Sequence, residues 1–133
     1  MVGKIAFKKT LHLSITLVIL ISCNETEIDF IETSTSVKSI SKPDTTALNE
    51  SVRINLIIFG SNGCANFSRF EVLQLNDTSS FKLFQKSNRN EICTRAIIEI
   101  DTVINLVLSR PGINYLKFEG EQGPLVDSVF VTD

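Results

Sequence analysis

Residues 51–133 alternate short apolar runs with turn signals roughly 8 to 12 positions apart, the spacing of a strand-built sandwich or barrel. The first run, residues 52–59, sets Val52, Ile54, Leu56 and Ile58 against Arg53 and Asn55, a period of two. Gly60-Ser61-Asn62-Gly63 ends it, immediately before Cys64. Residues 67–75 form the second run, and Asn76-Asp77-Thr78-Ser79 turns the chain. In residues 81–85, Phe81, Leu83 and Gln85 oppose Lys82 and Phe84, and Ser87-Asn88-Arg89-Asn90 turns again. Residues 92–100 and 103–108 follow, divided at Asp101-Thr102. Their β-branched Ile97, Ile98, Ile100, Val103, Ile104 and Val107 favour strand over helix. Pro111-Gly112 leads into residues 113–119, and residues 120–124 lead into 125–131. The expectation is an all-β domain of about seven strands.

Before residue 51 the pattern differs twice. Residues 11–21 are a short, mostly apolar run preceded by Lys4, Lys8 and Lys9 and by no acid, the layout of a secretory signal peptide. The run falls short of the ~20 residues that a spanning helix needs. Residues 24–50 are rich in Ser, Thr, Asn and Glu, and their apolar residues follow neither period. Such a segment buries too little surface to offset its ordering entropy. It reads as a flexible tether, with an extra edge strand at Ile28, Phe30 and Ile31 as the alternative. The expected divisions are a signal peptide at 1–22, the cysteine and tether at 23–50, and a β domain at 51–133.

Leu20-Ile21-Ser22-Cys23 resembles a bacterial lipobox: an aliphatic residue, a small residue, then cysteine. The resemblance implies diacylation of Cys23 and cleavage before it. The whole chain accordingly resembles small lipoproteins of the Bacteroidota type. Two or three acyl chains anchor stably, because each buried CH2 adds about 0.8 kcal/mol.

Charge and composition then exclude several functions. Loss of residues 1–22 leaves ten basic against 15 acidic residues, a net charge of −5, with no basic cluster to suit nucleic acid. The single histidine, His12, departs with the signal peptide. Histidine-dependent triads and histidine-ligated metal sites are thereby excluded. With Cys23 lipidated, Cys64 and Cys93 remain as an even pair in an exported domain and read as a disulfide. Closing that loop of about 30 residues stabilises by roughly 3.5 kcal/mol on the chain-entropy model. Two free thiols are the alternative, and neither C-x-x-C spacing nor histidine supports a redox role.

The strand count and Pro111-Gly112-x-x-Tyr115-Leu116-x-Phe118 resemble the immunoglobulin-like domains of bacterial surface proteins. That resemblance implies an antiparallel immunoglobulin-like β-sandwich and carries no activity with it. The sequence departs from the pattern: Gly112 and Tyr115 stand one residue further apart than usual, and the buried Trp of antibody domains is missing.

Candidate sites are few. Asp44-Thr45-Thr46, Asp101-Thr102-Val103 and Asp127-Ser128-Val129 resemble the O-glycosylation acceptor pattern of Bacteroidota, which nominates Thr45, Thr102 and Ser128. Four N-x-[S/T] sequons carry little meaning in a bacterial lipoprotein. Ser39-Ile40-Ser41-Lys42 matches the S-x-x-K acyl-enzyme motif but lacks a helix pattern and is read as chance. The loop at 60–67, GSNGCANF, is either a ligand-binding tip or a tight connection that places Cys64, and the second reading is preferred. Glu119, Glu121 and Asp127 lack calcium-loop spacing and are read as a solvated acidic loop. No catalytic residue, metal or cofactor is expected. The functional expectation is a non-catalytic accessory or interaction module, lipid-anchored through Cys23 at the outer membrane. It would take an envelope protein partner, for example by β-augmentation at a strand edge. A glycan- or small-ligand-binding lipoprotein is the alternative.

Overall fold

The computed structural model describes residues 29–133. The expectations for the signal peptide, for Cys23 and for the tether up to residue 28 lie outside the described residues. Nine strands and no helix are found within them: β1 (Phe30–Thr35), β2 (Val37–Ser41), β3 (Thr45–Ala47), β4 (Ser51–Gly60), β5 (Asn66–Leu75), β6 (Thr78–Asn88), β7 (Ile98–Val107), β8 (Gly112–Gly120) and β9 (Gly123–Thr132).

The period-two pattern of β4 translates directly into layers. Val52, Ile54, Leu56 and Ile58 are buried while Arg53 and Asn55 are exposed. β4 pairs antiparallel with β2 on one side and along its whole length with β7 on the other, from Ser51↔Val107 to Gly60↔Ile98. The opposite layer runs β5–β6–β8–β9–β3. β1 pairs with β6 over residues 83–88, beyond the point where β8 leaves it. One bridge, Val37↔Gly120, joins the two layers. Between them lies a single core that includes Ile54, Leu56, Ile58, Leu83, Leu116, Phe118 and Val129. Phe81 and Phe118 stack at its centre, ring centroids 4.5 Å apart.

The β-sandwich is therefore as expected, with differences in detail. The β2–β8, β3–β9 and β6–β8 pairs are parallel, where a wholly antiparallel sandwich was expected. Residues 30–47 are not a tether: β1, β2 and β3 are hydrogen-bonded into the sheets. Their stability comes from neighbours rather than from their own pattern. Val37 is fully buried, and Thr35 donates its hydroxyl proton to the carbonyl of Phe59. Residues 30–47 thus belong to the β domain, which was expected to start at 51. Asp101-Thr102 does not divide two strands, because both lie within β7 opposite Ile57 and Leu56. Residues 92–97 are not strand, and Ile92 is wholly exposed. That segment belongs to the excursion pinned by the Cys64–Cys93 disulfide, whose Cα atoms stand 5.6 Å apart.

Candidate interaction face

β5 is the most exposed of the long strands. Like β7, it pairs on one side only, with β6, so its second edge carries unpaired backbone groups. The β5–β6 turn holds only Asn76 and Asp77, with Asn76 in the left-handed region at φ 57°. Most of β5 is exposed, and Leu73 and Leu75 are 69% and 68% accessible. The usual edge protections, a proline or a lysine, are absent between residues 66 and 75.

The first half of β5 is held by charge. Arg69 lies over the Phe84 ring, 3.9 Å from its centroid, and bridges Glu32 on β1 at 3.1 Å and Glu71 on its own strand. Ser68 donates its hydroxyl to the same Glu32 at 2.6 Å. Glu32 therefore sits below its ordinary pKa, first through the Ser68 bond and then through Arg69. Arg69 is raised, first by Glu71 and then by Glu32. The pair register also explains the gap in this armour. Leu73 faces Ser80 and Leu75 faces Thr78, so no charged neighbour covers either leucine.

On the outer face of this layer the strands form a concavity of about 780 Å³. Glu71, Lys82, Lys117 and Glu119 stand around it, with Leu73 and Pro124 among its apolar contributors. Tyr115, Ile113, Val126 and Phe130 are also exposed, on β8 and β9. The face is apolar with charges at one end and holds no array of nucleophile and base.

The sequence-nominated residues are scattered rather than assembled. Thr45 is exposed at the start of β3, opposite Phe130. Thr102 is half-buried in the middle of β7, beside a shallow groove shared with Ser39, Ser41 and Asn55. Ser128 is half-buried in β9, and its N–H donates to Asp127 Oδ1 at 2.7 Å. Asp127 also meets Lys42 at 3.3 Å, as does Asp44. Lys42 is thereby committed to two carboxylates, with a side chain only 4% accessible, and is not a free base beside Ser39. The register sets Asp127 opposite Leu116 and Glu119 opposite Pro124, on different faces, and Glu119, Glu121 and Asp127 form no ligand cluster among the described residues. Glu91 does approach Cys64 and Cys93, but the two sulfurs are bonded to each other.

The loop at 60–67 is internally bonded. Asn62 Oδ1 accepts the Cys64 N–H at 2.9 Å, and the Gly63 N–H donates to the Thr94 carbonyl at 3.0 Å. A Cβ at Gly63 would collide with Oγ1 of Thr94. This is the geometry of a connection that sets Cys64 against the Cys93 segment. The free edge of β5 was missed in the sequence, where residues 67–75 count only as one more strand. A signal for it exists: Val72-Leu73-Gln74-Leu75 places apolar residues on both faces, which a half-buried strand does not need.

A family model described as the ORF11 beta-sandwich domain matches residues 53–126, more than half of the chain. Comparisons with curated proteins and with solved structures find no match.

Proposed function

Since this chain belongs to the ORF11 beta-sandwich domain family, we propose that it is a lipid-anchored, non-catalytic envelope protein that works as an accessory or protein-interaction module. The observation that carries the interaction reading is the second edge of β5, unpaired over a ten-residue strand and flanked by exposed Leu73 and Leu75. Such an edge takes up an extended segment of a partner by β-augmentation: main-chain hydrogen bonds supply affinity and alternate side chains supply selectivity. The lipid anchor is read from Leu20-Ile21-Ser22-Cys23, and the outer membrane is the location we propose with it. Thr45, exposed in its Asp-Thr-Thr context, is the best placed of the three O-glycosylation candidates.

The test is cross-linking in intact cells through a C-terminal tag, with a photoreactive residue at Val72 to report on the β5 edge. An envelope protein bonded at Val72 supports the reading, and an edge that bonds nothing removes it. The intact mass of membrane-extracted protein tests the anchor separately, since a chain without diacylglycerol on Cys23 overturns it.

The concavity across β5, β6, β8 and β9 favours a second reading, binding of a glycan or small ligand. A thermal-shift screen separates the two, because a bound ligand stabilises by mass action.

A further inference from the structure

The path of the chain limits how the domain can stand on the surface that anchors it. β1 begins at Phe30, so only residues 24–29 separate the strand from Cys23. A chain of that length spans at most about 25 Å. A ten-residue strand such as β4 is about 33 Å long. The leash is thus shorter than the domain, and the end where β1 begins stays nearest to Cys23.

The same end gathers the close of β6, the close of β4 and the start of β7. Phe30 stands opposite Asn88, and Gly60 stands opposite Ile98. Residues 89–97 cross between the two layers there. They are held by the Cys64–Cys93 disulfide, by the Gly63 N–H on the Thr94 carbonyl and by the Arg89 N–H on the Asp29 carbonyl. Although the excursion is pinned, Ile92 is wholly exposed and Ile97 largely so. Phe30 and Ile31 are exposed at the start of β1. None of the four joins the core. Charge also sets this end apart. After residue 22 the acids outnumber the bases by five, yet segment 88–97 holds two arginines against one glutamate. Arg95 is exposed and has no ion-pair partner among the described residues. Lys86 stands over the Phe30 ring at 5.1 Å, and Arg89 meets Asp29 at 3.2 Å.

We infer that this end of the sandwich docks on a lipid surface. Ile92 and Ile97 enter the boundary between headgroups and acyl chains, and Arg95 and Arg89 lie beside the phosphates. The inference rests on the lipid anchor proposed above and names the face that the anchor brings to the membrane. Tethering raises the local concentration, so a patch too small to hold a free protein can hold a tethered one. β5 runs from Asn66, opposite Lys86, to Leu75, opposite Thr78. Docking therefore turns Leu75 and the β5–β6 turn away from the lipid and leaves the β5 edge open at its far end.

The test uses the full lipidated chain in vesicles of phosphatidylcholine and phosphatidylglycerol with brominated acyl chains. The chain contains no tryptophan, so Ile92→Trp supplies a single probe. Its emission is expected to shift to the blue and to fall roughly twofold or more, because a group about 5–10 Å into the boundary lies among the bromines. Val107→Trp is the control, exposed at the opposite end of β7 where it pairs with Ser51. It is expected to keep its emission. Equal quenching at 92 and 107 overturns the proposal, as does an unquenched probe at 92, including one that instead cross-links to an envelope protein or a second copy. Intact mass separates the two readings. Diacylglycerol on Cys23 with no quenching at 92 leaves the anchor standing and removes the docking face. Quenching at 92 in a chain that lacks the lipid keeps the docking face and removes the anchor.

Discussion

Phe118 has no access to solvent and stacks on Phe81, which the parallel β6–β8 register sets directly opposite it. Phe118→Ala removes that partner and leaves a cavity, at a cost of about 3–5 kcal/mol. Urea unfolding followed by fluorescence or circular dichroism should show the loss as a lower midpoint with little change in slope. Glu32 offers a smaller, pH-dependent effect. Its folded pKa lies below the unfolded value, so the unfolded chain binds more protons in that interval. The contribution is therefore present above the unfolded pKa and is lost as pH falls through the folded one. Glu32→Gln should flatten the acid limb of a stability-versus-pH curve by lowering stability near neutrality, and leave it little altered in acid, where the contribution is already lost. Solvent screening at this exposed site keeps the effect modest. At this scale the core was well marked in the sequence. The inward sets of β4 and of Phe81, Leu83 and Gln85 follow from alternation alone. Thr35 and Asn114 were not legible, because both are polar residues at buried positions, and alternation marks only apolar ones as inward. Thr35 reaches Phe59, and Asn114 donates to the carbonyls of Arg110 and Gly112.

Among the elements, β1 to β3 changed most from expectation. Their composition is that of a linker, and β1 is exposed along most of its length. What orders them is the unpaired edge each one meets: β1 on β6, β2 on β4 and β3 on β9. No local pattern encodes an edge supplied by residues 14 to 85 positions away. A chain that begins at Ser51 should therefore unfold at a lower urea concentration than one that begins at Asp29. It forfeits the buried Val37 side chain, about 1.5–3 kcal/mol of transfer free energy, and the β1–β6, β2–β4, β2–β8 and β3–β9 pairings besides. The disulfide is the opposite case, because an even cysteine pair in a domain expected to be exported predicted it and the structure contains it. Replacing both Cys64 and Cys93 by Ser should lower stability by about 3.5 kcal/mol on the chain-entropy model. The same unfolding experiment measures it. The excursion at 89–97, with Ile92 in solvent, should then become the fastest site of proteolytic nicking.

For the molecule as a whole, nearly every ladder joins distant parts of the chain: Phe30 with Asn88, Thr45 with Phe130, Ser51 with Val107. Among the described residues, the only tight hairpins are β5–β6 and β8–β9. Folding must close large loops before most pairings form. Refolding of the disulfide-intact domain should accordingly fall in the millisecond-to-second range of β-sandwiches, as stopped-flow can establish. Fold class was legible from strand spacing, whereas the order of strands was not. The parallel β6–β8 contact depends on how the β5–β6 hairpin is laid against β8, which no residue pattern specifies.

The short parallel pair of β3 and β9 has a mechanical consequence. It comprises three residue pairs, Thr45↔Phe130 to Ala47↔Thr132. The flanking bonds run from Phe130 N–H to Asp44 and from Leu48 N–H to Thr132. β9 is the last strand, and β3 lies on the side of the chain that leads back toward residue 1. When the two ends are drawn apart, parallel neighbours are tugged from opposite directions and their hydrogen bonds bear the load together in shear. An antiparallel hairpin opened from its end would instead yield bond by bond. Tension between the two ends would thus be resisted at β3–β9 once β1 and β2 had peeled away, a brake set at the last strand of the domain.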